Sequence, residues 1–491
     1  MSQEAHKKDL ILAVNSGSSS LKISLYRVVA SFDPSSSDTA SLPIGKEPVE
    51  LLLVSTISNL SAPPASLSWK PSPHSAPSID FGEPIKGSKV DKVNSHTTAF
   101  TYFLQHLEIS SGLDKNAIGK VCHRVVHGGD YIDPVIIDAE SYEHIEHLSD
   151  LAPLHNGAAL TLIKATLEHV PNATSIAYFD TAFHRTIPPH ISNYAIDPAI
   201  AKKRGLKKYG FHGLSYAYIL RTLTTCLSPP PSRRGLNLIV LHLGSGASAV
   251  CIKDGKSLDT TMGLTPVSGL PGATRSGDVD PSLVFHWYGS EQVAQAEEAR
   301  KAEKDGDDYD EDDQDDIGPG DVGRLSHQTT AGVDIHVTIA EEILNKRSGW
   351  KAITGTTDFG VIVAKMKEAK EDDVENPFKM TFDLLLDRLS TYIGSFYLKL
   401  GGDVDALVFA GGIGEKSVEL REAVGKKVEC LGFSINPDRN SKVGNAEAGL
   451  GEDKKAVKIS AENDKKKVFV VWTDEQLEMA KECAFEPKFW Q

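Results

Sequence analysis

Residues Ile11–Tyr26 read ILAVNSGSSSLKISLY. The apolar run Ile11–Val14 has the composition of a buried strand, Asn15–Ser20 is a polar turn, and Leu21–Val28 supplies a second strand. A strand, glycine turn and strand in succession aim backbone N–H groups and hydroxyls at one point, where an anion can be held. Lys22 adds a positive charge beside it. The pattern returns at Leu238–Asp254, LIVLHLGSGASAVCIKD, again a strand, a small-residue turn and a strand. A single GSSS turn is compatible with many proteins. Its repetition predicts two matched half-molecules, each lending a loop to a shared cleft.

The chain has 491 residues, room for two or more domains with full cores. With 40% hydrophobic and 24% charged residues it reads as a soluble globular protein. No run of about 20 apolar residues is present, so no membrane helix is expected. The start, MSQEAHKKDL, lacks the apolar core of a secretory signal, and a cytoplasmic location is expected. Five scattered cysteines without metal-ligand spacing fit a reducing compartment. The formal net charge of -15 argues against a nucleic-acid partner. Much of it sits in Lys301–Asp316, KAEKDGDDYDEDDQDD, which carries ten acidic and two basic residues. Self-repelling charge of this density reads as a solvated loop in preference to a calcium site.

From Ala30 to Ser95 the serine and proline clusters predict sheet edges joined by long surface loops, with a strand near Leu51–Val54. Helices are expected over Thr97–Ile109, Gly157–Val170, from about Ser215, over Val333–Lys346 and over Lys379–Leu400. Thr174–Phe179 and Lys465–Val471 read as strands, and Met262–Pro281, dense in glycine and proline, as an ordered loop. At Ala406 an apolar strand meets a glycine turn and a helix, an arrangement that suits a phosphate or a flat ligand and also occurs at ordinary strand-helix joints.

No Walker-type run and no serine elbow appears. What does appear is a set of polar residues at strand ends: Asn15, Lys22, Arg124, Asp180, His212, Arg275 and Glu475. Arginines offer planar donors suited to carboxylate and phosphate oxygens. Carboxylates beside phosphates act chiefly through a divalent ion. That mixture is what phosphoryl transfer requires. Each arginine taken alone could equally serve a salt bridge.

Eight segments together resemble the acetate kinase family, part of the acetate and sugar kinase, heat-shock chaperone and actin superfamily. They are VNSGSSSLK (14–22), HRVVHGG (123–129), LAPLHN (151–156), FDTAFHRTIP (179–188), YGFHG (209–213), HLGSG (242–246), MGLTPVSGLPGATRSGDVDP (262–281) and AGGIGE (410–415). The expanded regions near 31–95 and 291–325 are similar to those of eukaryotic, especially fungal, members. The resemblance implies an α/β fold of duplicated ribonuclease H-like (actin-like ATPase) domains with an active-site cleft between them. The first domain would span 1–184, completed by a helix near 476–491, and the second 185–475. The implied activity is reversible phosphoryl transfer between ATP and acetate, giving ADP and acetyl phosphate, with Mg2+, or Mn2+ in its place, in a homodimer.

The resemblance also implies roles. Arg124, Asp180, His212 and Arg275 would be catalytic, with His212 and Arg275 stabilising the transition state. Val126, Leu154, Phe211 and Pro266, with Arg124, would receive acetate, their apolar groups around its methyl. Asn15, Lys22, His242, Ser245, Gly246, Asp358, Phe359, Gly412 and Ile413 would hold nucleotide, and Asn15 and Glu475 the metal. Departures from the family pattern bear on this. Leu214 and Tyr216 replace a threonine and a second histidine, so that His212 needs different support. Ser245 replaces an asparagine, and Gly360 an arginine on the nucleotide side. A pyrophosphate-dependent acetate kinase, a longer-chain acyl kinase and a non-enzymatic actin-like nucleotide-binding module are the alternatives.

Overall fold

The computed structural model describes residues 9–17, 19–29, 32, 47–73, 79–148, 153–227, 235–287, 325–330, 333–370, 372–446 and 454–490, without the side chains of 153–155, 325–330 and 333–337. The first half supplies strands β1 (Leu10–Ser16), β2 (Ser20–Val28), β3 (Val49–Ser58), β4 (Ala65–Pro71), β5 (Ile85–Val90), β6 (Ile118–Val125), β7 (Val135–Ile136) and β8 (Thr174–Phe179). They form one sheet in the order β5-β4-β3-β2-β1-β6-β8-β7. The second half supplies β9 (Leu238–Leu243), β10 (Ala247–Lys253), β11 (Lys256–Thr260), a hairpin of β12 (Leu325–Thr330) and β13 (Val333–Thr338), then β14 (Ala406–Ala410), β15 (Ala456–Lys458) and β16 (Lys467–Val471). Its sheet runs β11-β10-β9-β14-β16-β15.

The duplication is explicit in the pairing. β1 runs antiparallel to β2 and parallel to β6, which is parallel to β8. β9 runs antiparallel to β10 and parallel to β14, which is parallel to β16. Each lobe therefore begins with a hairpin and places the C-terminal ends of three parallel strands along one edge, where open α/β sheets bind ligands.

The central strands of both sheets are buried on both faces, which is why they are apolar without a break. Leu10, Leu12 and Val14 pack beneath the helices His96–Ser111 and Pro153–His169, in a core that includes Phe100, Phe103 and Leu162. Ile11 and Ala13 face Met479, Ala480 and Cys483 of the helix Glu475–Phe485. In the second sheet Ile239, Leu241 and Leu243 pack with Ile362, Phe382, Leu389 and Leu420. Leu238 and Val240 meet Tyr216, Ile219 and Leu223 of the helix Gly213–Cys226. That helix covers the second sheet and also touches the first through Leu214.

Two expectations are corrected. The span Val333–Lys346 is not one helix: Val333–Thr338 is strand β13, and only Ile339–Lys346 is helical. Val333, Ile335 and Val337 alternate with polar residues at the period of a strand. The helix starts where the Thr338 hydroxyl accepts from the Glu341 N–H and the Glu341 carboxylate accepts from the Thr338 N–H, a capping box. The proline-rich stretch from Ser61, read as loop, contains β4, with Ala65, Leu67 and Trp69 buried on alternate positions. β5 extends the sheet beyond it. The acidic run Lys301–Asp316 lies outside the described residues. Among the described residues no helix is long and apolar enough to cross a membrane.

Candidate active site

The first lobe brings Asn15, Arg124 and Asp180 to the same sheet edge. Asn15 lies near the end of β1, Arg124 near the end of β6, and Asp180 directly follows β8. Arg124 donates from Nε to Asp180 Oδ1 at 3.1 Å and from Nη2 to Oδ2 at 2.6 Å. Its Nη1 donates to Asn15 Oδ1 at 3.2 Å and lies 3.5 Å from Glu475 Oε2. The amide of Asn15 passes the contact on, Nδ2 donating to Glu475 Oε2 at 2.8 Å, and the Ser215 hydroxyl donates to Glu475 Oε1 at 2.7 Å. Glu475 begins the helix that follows β16, so the second half of the chain completes a cluster rooted in the first.

The electrostatics follow from this packing. Burial works against the charge on Arg124, but Asp180 and Glu475 outweigh it and hold the guanidinium as a cation. Burial lifts the Asp180 carboxyl above the ordinary aspartate value, opposed by Arg124 and by the backbone N–H of His212. For Glu475 burial loses: Arg124, the Ser215 hydroxyl, His242 and Lys22 keep its carboxyl below the usual glutamate range. Lys22 is exposed on β2, where it pairs in register with Asn15.

His212 enters from the other side. Its backbone is left-handed, φ 59°, and it caps the helix Gly213–Cys226. The residue after it has to be glycine, since a Cβ on Gly213 would come within 1.9 Å of the Asp180 carbonyl oxygen. Nδ1 of His212 lies 2.7 Å from Ser248 Oγ, and Tyr216 hydrogen-bonds the same hydroxyl. The imidazole stacks on His242, with centroids 4.3 Å apart. Burial first, then His242, Arg124 and Arg275, push His212 well below its ordinary value, so the ring is neutral. The support that Tyr216 was expected to alter is therefore a serine bridge between phenol and imidazole.

Arg275 is carried by the loop after β11. The Ala273 N–H donates to Ser245 O at 2.8 Å, and the Gly272 N–H to the Arg275 carbonyl at 3.0 Å. A Cβ on Gly246 would sit 3.0 Å from Arg275 Nη1, so the β9–β10 turn is trimmed to admit the guanidinium. Burial and the charge of Arg124 together lower Arg275 to about 10. Two cations, one from each lobe, thus face one cleft.

Beyond them opens a cavity of about 570 Å³ lined by Gly244, Ser245, Asp358, Phe359, Gly412 and Ile413, among others. Asp358 caps the helix Phe359–Glu368 by accepting from the Gly360 N–H at 2.8 Å. Of the residues assigned to an acetate methyl, Val126 and Phe211 pack together with Tyr209, Met262 and Leu264. Pro266 is buried as well. Leu154 lies in the first turn of the helix Pro153–His169, and its side chain falls outside the described residues.

Several contributors were not singled out from sequence. Ser215 and Ser248 hold Glu475 and His212. Asn156, fully buried, clasps the backbone of His127, accepting from its N–H and donating to its carbonyl, both at 3.0 Å. His96 lies 2.7 Å from the carbonyl of Gly17 in the first turn. Among these only Asn156 carried a signal, as the last residue of LAPLHN.

A family model described as the Acetokinase family matches residues 78–305 and 315–481. A probable acetate kinase of Emericella nidulans is 42% identical over 479 residues, covering 96% of this chain and 97% of that protein. One of Neurospora crassa is 41% identical over 510 residues, covering 100% and 97%. Among solved structures, a propionate kinase from Francisella tularensis superposes with a TM-score of 0.69 at 28% identity, over 96% of this chain and 98% of that one. An acetate kinase from Porphyromonas gingivalis gives 0.68 at 28% identity over the same shares.

Proposed function

The chain belongs to the acetokinase family, and on that premise we propose that it is an ATP-dependent acetate kinase, interconverting acetate and ATP with acetyl phosphate and ADP. The observation that carries this reading is a pair of guanidiniums from the two lobes, Arg124 clasped by Asp180 beside Glu475 and Arg275 against the Gly246 turn. Acetate is an anion at neutral pH, so the reaction needs no strong base. Its difficulty is the approach of two negative reactants.

Arg124, its plane fixed by Asp180, receives the acetate carboxylate, and Arg275 meets the transferring phosphoryl group. An acetate oxygen attacks the γ-phosphorus in line as the bond to the β-γ bridging oxygen breaks, and ADP leaves with that electron pair. Tyr216, kept protonated by burial, donates to Ser248, whose hydroxyl donates to Nδ1 of His212. The imidazole proton is then on Nε2, where it donates to a phosphoryl oxygen. Val126 and Phe211, which pack together, border the methyl group, in the pocket to which the family resemblance also assigns Leu154 and Pro266. Such a pocket separates substrates differing by one methylene by only about 1–3 kcal/mol, so propionate is a slower substrate.

The nucleotide occupies the cavity bordered by Gly244, Ser245, Asp358, Phe359, Gly412 and Ile413, with Gly246 next to it in the β9–β10 turn. An ionised Glu475 and the Asn15 amide oxygen are hard donors that fit Mg2+, which takes one or two protein oxygens and completes its shell with water and phosphate. Among the described residues no three His, Cys, Asp or Glu gather into a cage for a metal, which agrees with a site that phosphate helps to form. Bound there, Mg2+ would neutralise phosphate charge. A homodimer and a cytosolic setting complete the proposal.

The test is a matrix of acetate, propionate and butyrate against ATP, GTP and pyrophosphate, run in both directions with acyl phosphate trapped as hydroxamate. Acetate with ATP giving the highest kcat/KM is the expected result. Turnover with pyrophosphate and none with nucleotide would overturn it.

A further inference from the structure

The cavity assigned to nucleotide has an end that the phosphoryl chemistry does not use. Its lining joins Phe359, Val363 and Ala364, from one face of the helix Phe359–Glu368, with Ile413 from beyond β14. Between them is an apolar slot suited to a flat ring. The phosphate end is fixed by Ser245, which borders the cavity beside Gly246 and the guanidinium of Arg275. Lys367 lies eight residues along the helix from Phe359, about 12 Å at the helical rise. Glu419, in the first turn of the helix Val418–Val428, faces it, and the ammonium of Lys367 pairs with Glu419 Oε1. Both residues line the cavity.

Glu419 is held as the anion: burial opposes its charge, but Lys367 and the helix backbone N–H outweigh that and lower the carboxyl below its usual range. Gly360, on the same helix, leaves its position open, an added Cβ meeting nothing nearer than Asp358 Oδ1 at 3.1 Å. Base recognition therefore falls to side chains deeper along the helix. A lysine beside a glutamate offers one donor next to one acceptor. The N7/C6 edge of adenine is the complement, an acceptor at N7 and an amino donor at C6, whereas guanine and hypoxanthine carry a carbonyl acceptor at C6 that would face the carboxylate.

We propose that Lys367 and Glu419 read the N7/C6 edge of the purine, so that this ion pair sets the preference for adenine nucleotides. The inference rests on the assignment of the cavity to nucleotide. Exposed ion pairs contribute little to fold stability, and with side chains 56% and 31% exposed this pair can be altered without unfolding the lobe.

The experiment uses the full chain with ATP and ITP, which differ at C6 in carrying amino or carbonyl, and calorimetric binding of ADP and IDP. The wild type is expected to favour ATP. In Glu419→Gln the amide can turn its NH2 toward a carbonyl, and the ATP:ITP ratio of kcat/KM is expected to fall by about tenfold or more. The change should appear in the KM for nucleotide and not in that for acetate, with the ADP:IDP affinity ratio moving in parallel. Lys367→Met is expected to weaken ADP and IDP alike, since N7 is common to both. An enzyme that uses ATP but keeps its ATP:ITP and ADP:IDP ratios in Glu419→Gln overturns the base-reading role. Turnover with pyrophosphate and with neither nucleotide overturns the underlying assignment of the cavity.

Discussion

Arg124 and Asp180 are joined at both ends of a planar fork, 3.1 Å from Nε to Oδ1 and 2.6 Å from Nη2 to Oδ2, with Asp180 wholly buried. A carboxylate placed in this way sets the plane of the guanidinium without spending all of its donors. Asp180→Ala removes one partner of a buried pair and is expected to cost about 3 kcal/mol of stability, read from the urea midpoint. Asp180→Asn keeps the shape, so its stability loss should be much smaller while kcat falls by at least about tenfold. Equal stability losses in the two variants would reduce Asp180 to a structural residue.

Arg275 sits on a loop tied by backbone hydrogen bonds that do not involve its side chain. Arg275→Ala is expected to lower kcat by at least about tenfold, a change of about 1.4 kcal/mol or more in transition-state stabilisation. Near-normal turnover in this variant would remove Arg275 from the reaction.

Ser248 is the only link between the Tyr216 phenol and Nδ1 of His212 among the described contacts. Ser248→Ala frees the imidazole to hold its proton on either nitrogen. Turnover is expected to fall by about tenfold, less than the roughly 10²–10⁴-fold of a lost acid-base group because the imidazole is misoriented and not removed, with little change in the KM for acetate. A rise in that KM at constant kcat would place the chain Tyr216–Ser248–His212 in substrate binding instead.

Glu475→Gln preserves the reach toward Asn15 and Ser215 but removes the negative charge. The Mg2+ concentration for half-maximal activity is expected to rise by about tenfold or more, with activity partly restored at high Mg2+. If the variant loses activity at every Mg2+ concentration and its Mg2+ dependence is unchanged, the carboxylate serves Arg124 alone.

Burial lowers His127, His184 and His242 to about 4 and His123 to about 3. In the unfolded chain these rings titrate near 6.5, so between pH 6.5 and about 4 the unfolded state binds protons that the folded state refuses. Stability is therefore full above pH 6.5 and falls as pH drops, by up to about 1.4 kcal/mol per pH unit for each ring. Urea midpoints measured from pH 7.5 to 4.5 should decline from the histidine range downward. A flat profile to pH 5 would contradict the burial of these rings.

The halves of the fold were legible where periodicity and turn chemistry agreed. Ile11–Tyr26 and Leu238–Asp254 each carry an unbroken apolar run into a glycine turn, and both became the leading hairpins of their sheets. β4 was hidden because Pro63, Pro64 and Pro71 punctuate a stretch whose alternation is only Ala65, Leu67 and Trp69. β13 was hidden because its apolar residues run straight into those of the following helix, and the signal separating them is the Thr338 cap. In the site, Arg124 and Asp180 stood out because each ends a strand. Ser215 and Ser248 did not, for a serine acquires meaning from what it meets, and Ser215 meets a carboxylate 260 residues away. The pairing of Lys367 with Glu419 is invisible for the same reason.

The helix Glu475–Phe485 covers a face of the sheet that is made first, laying Met479, Ala480 and Cys483 over Ile11 and Ala13. During synthesis on the ribosome, β1, β2 and β6 therefore wait with one side open until the far end of the message has been translated. A nascent chain stopped before Glu475 would expose that apolar face and lack the carboxylate opposite Asn15. The same late segment thus both closes the first core and delivers Glu475 to Asn15.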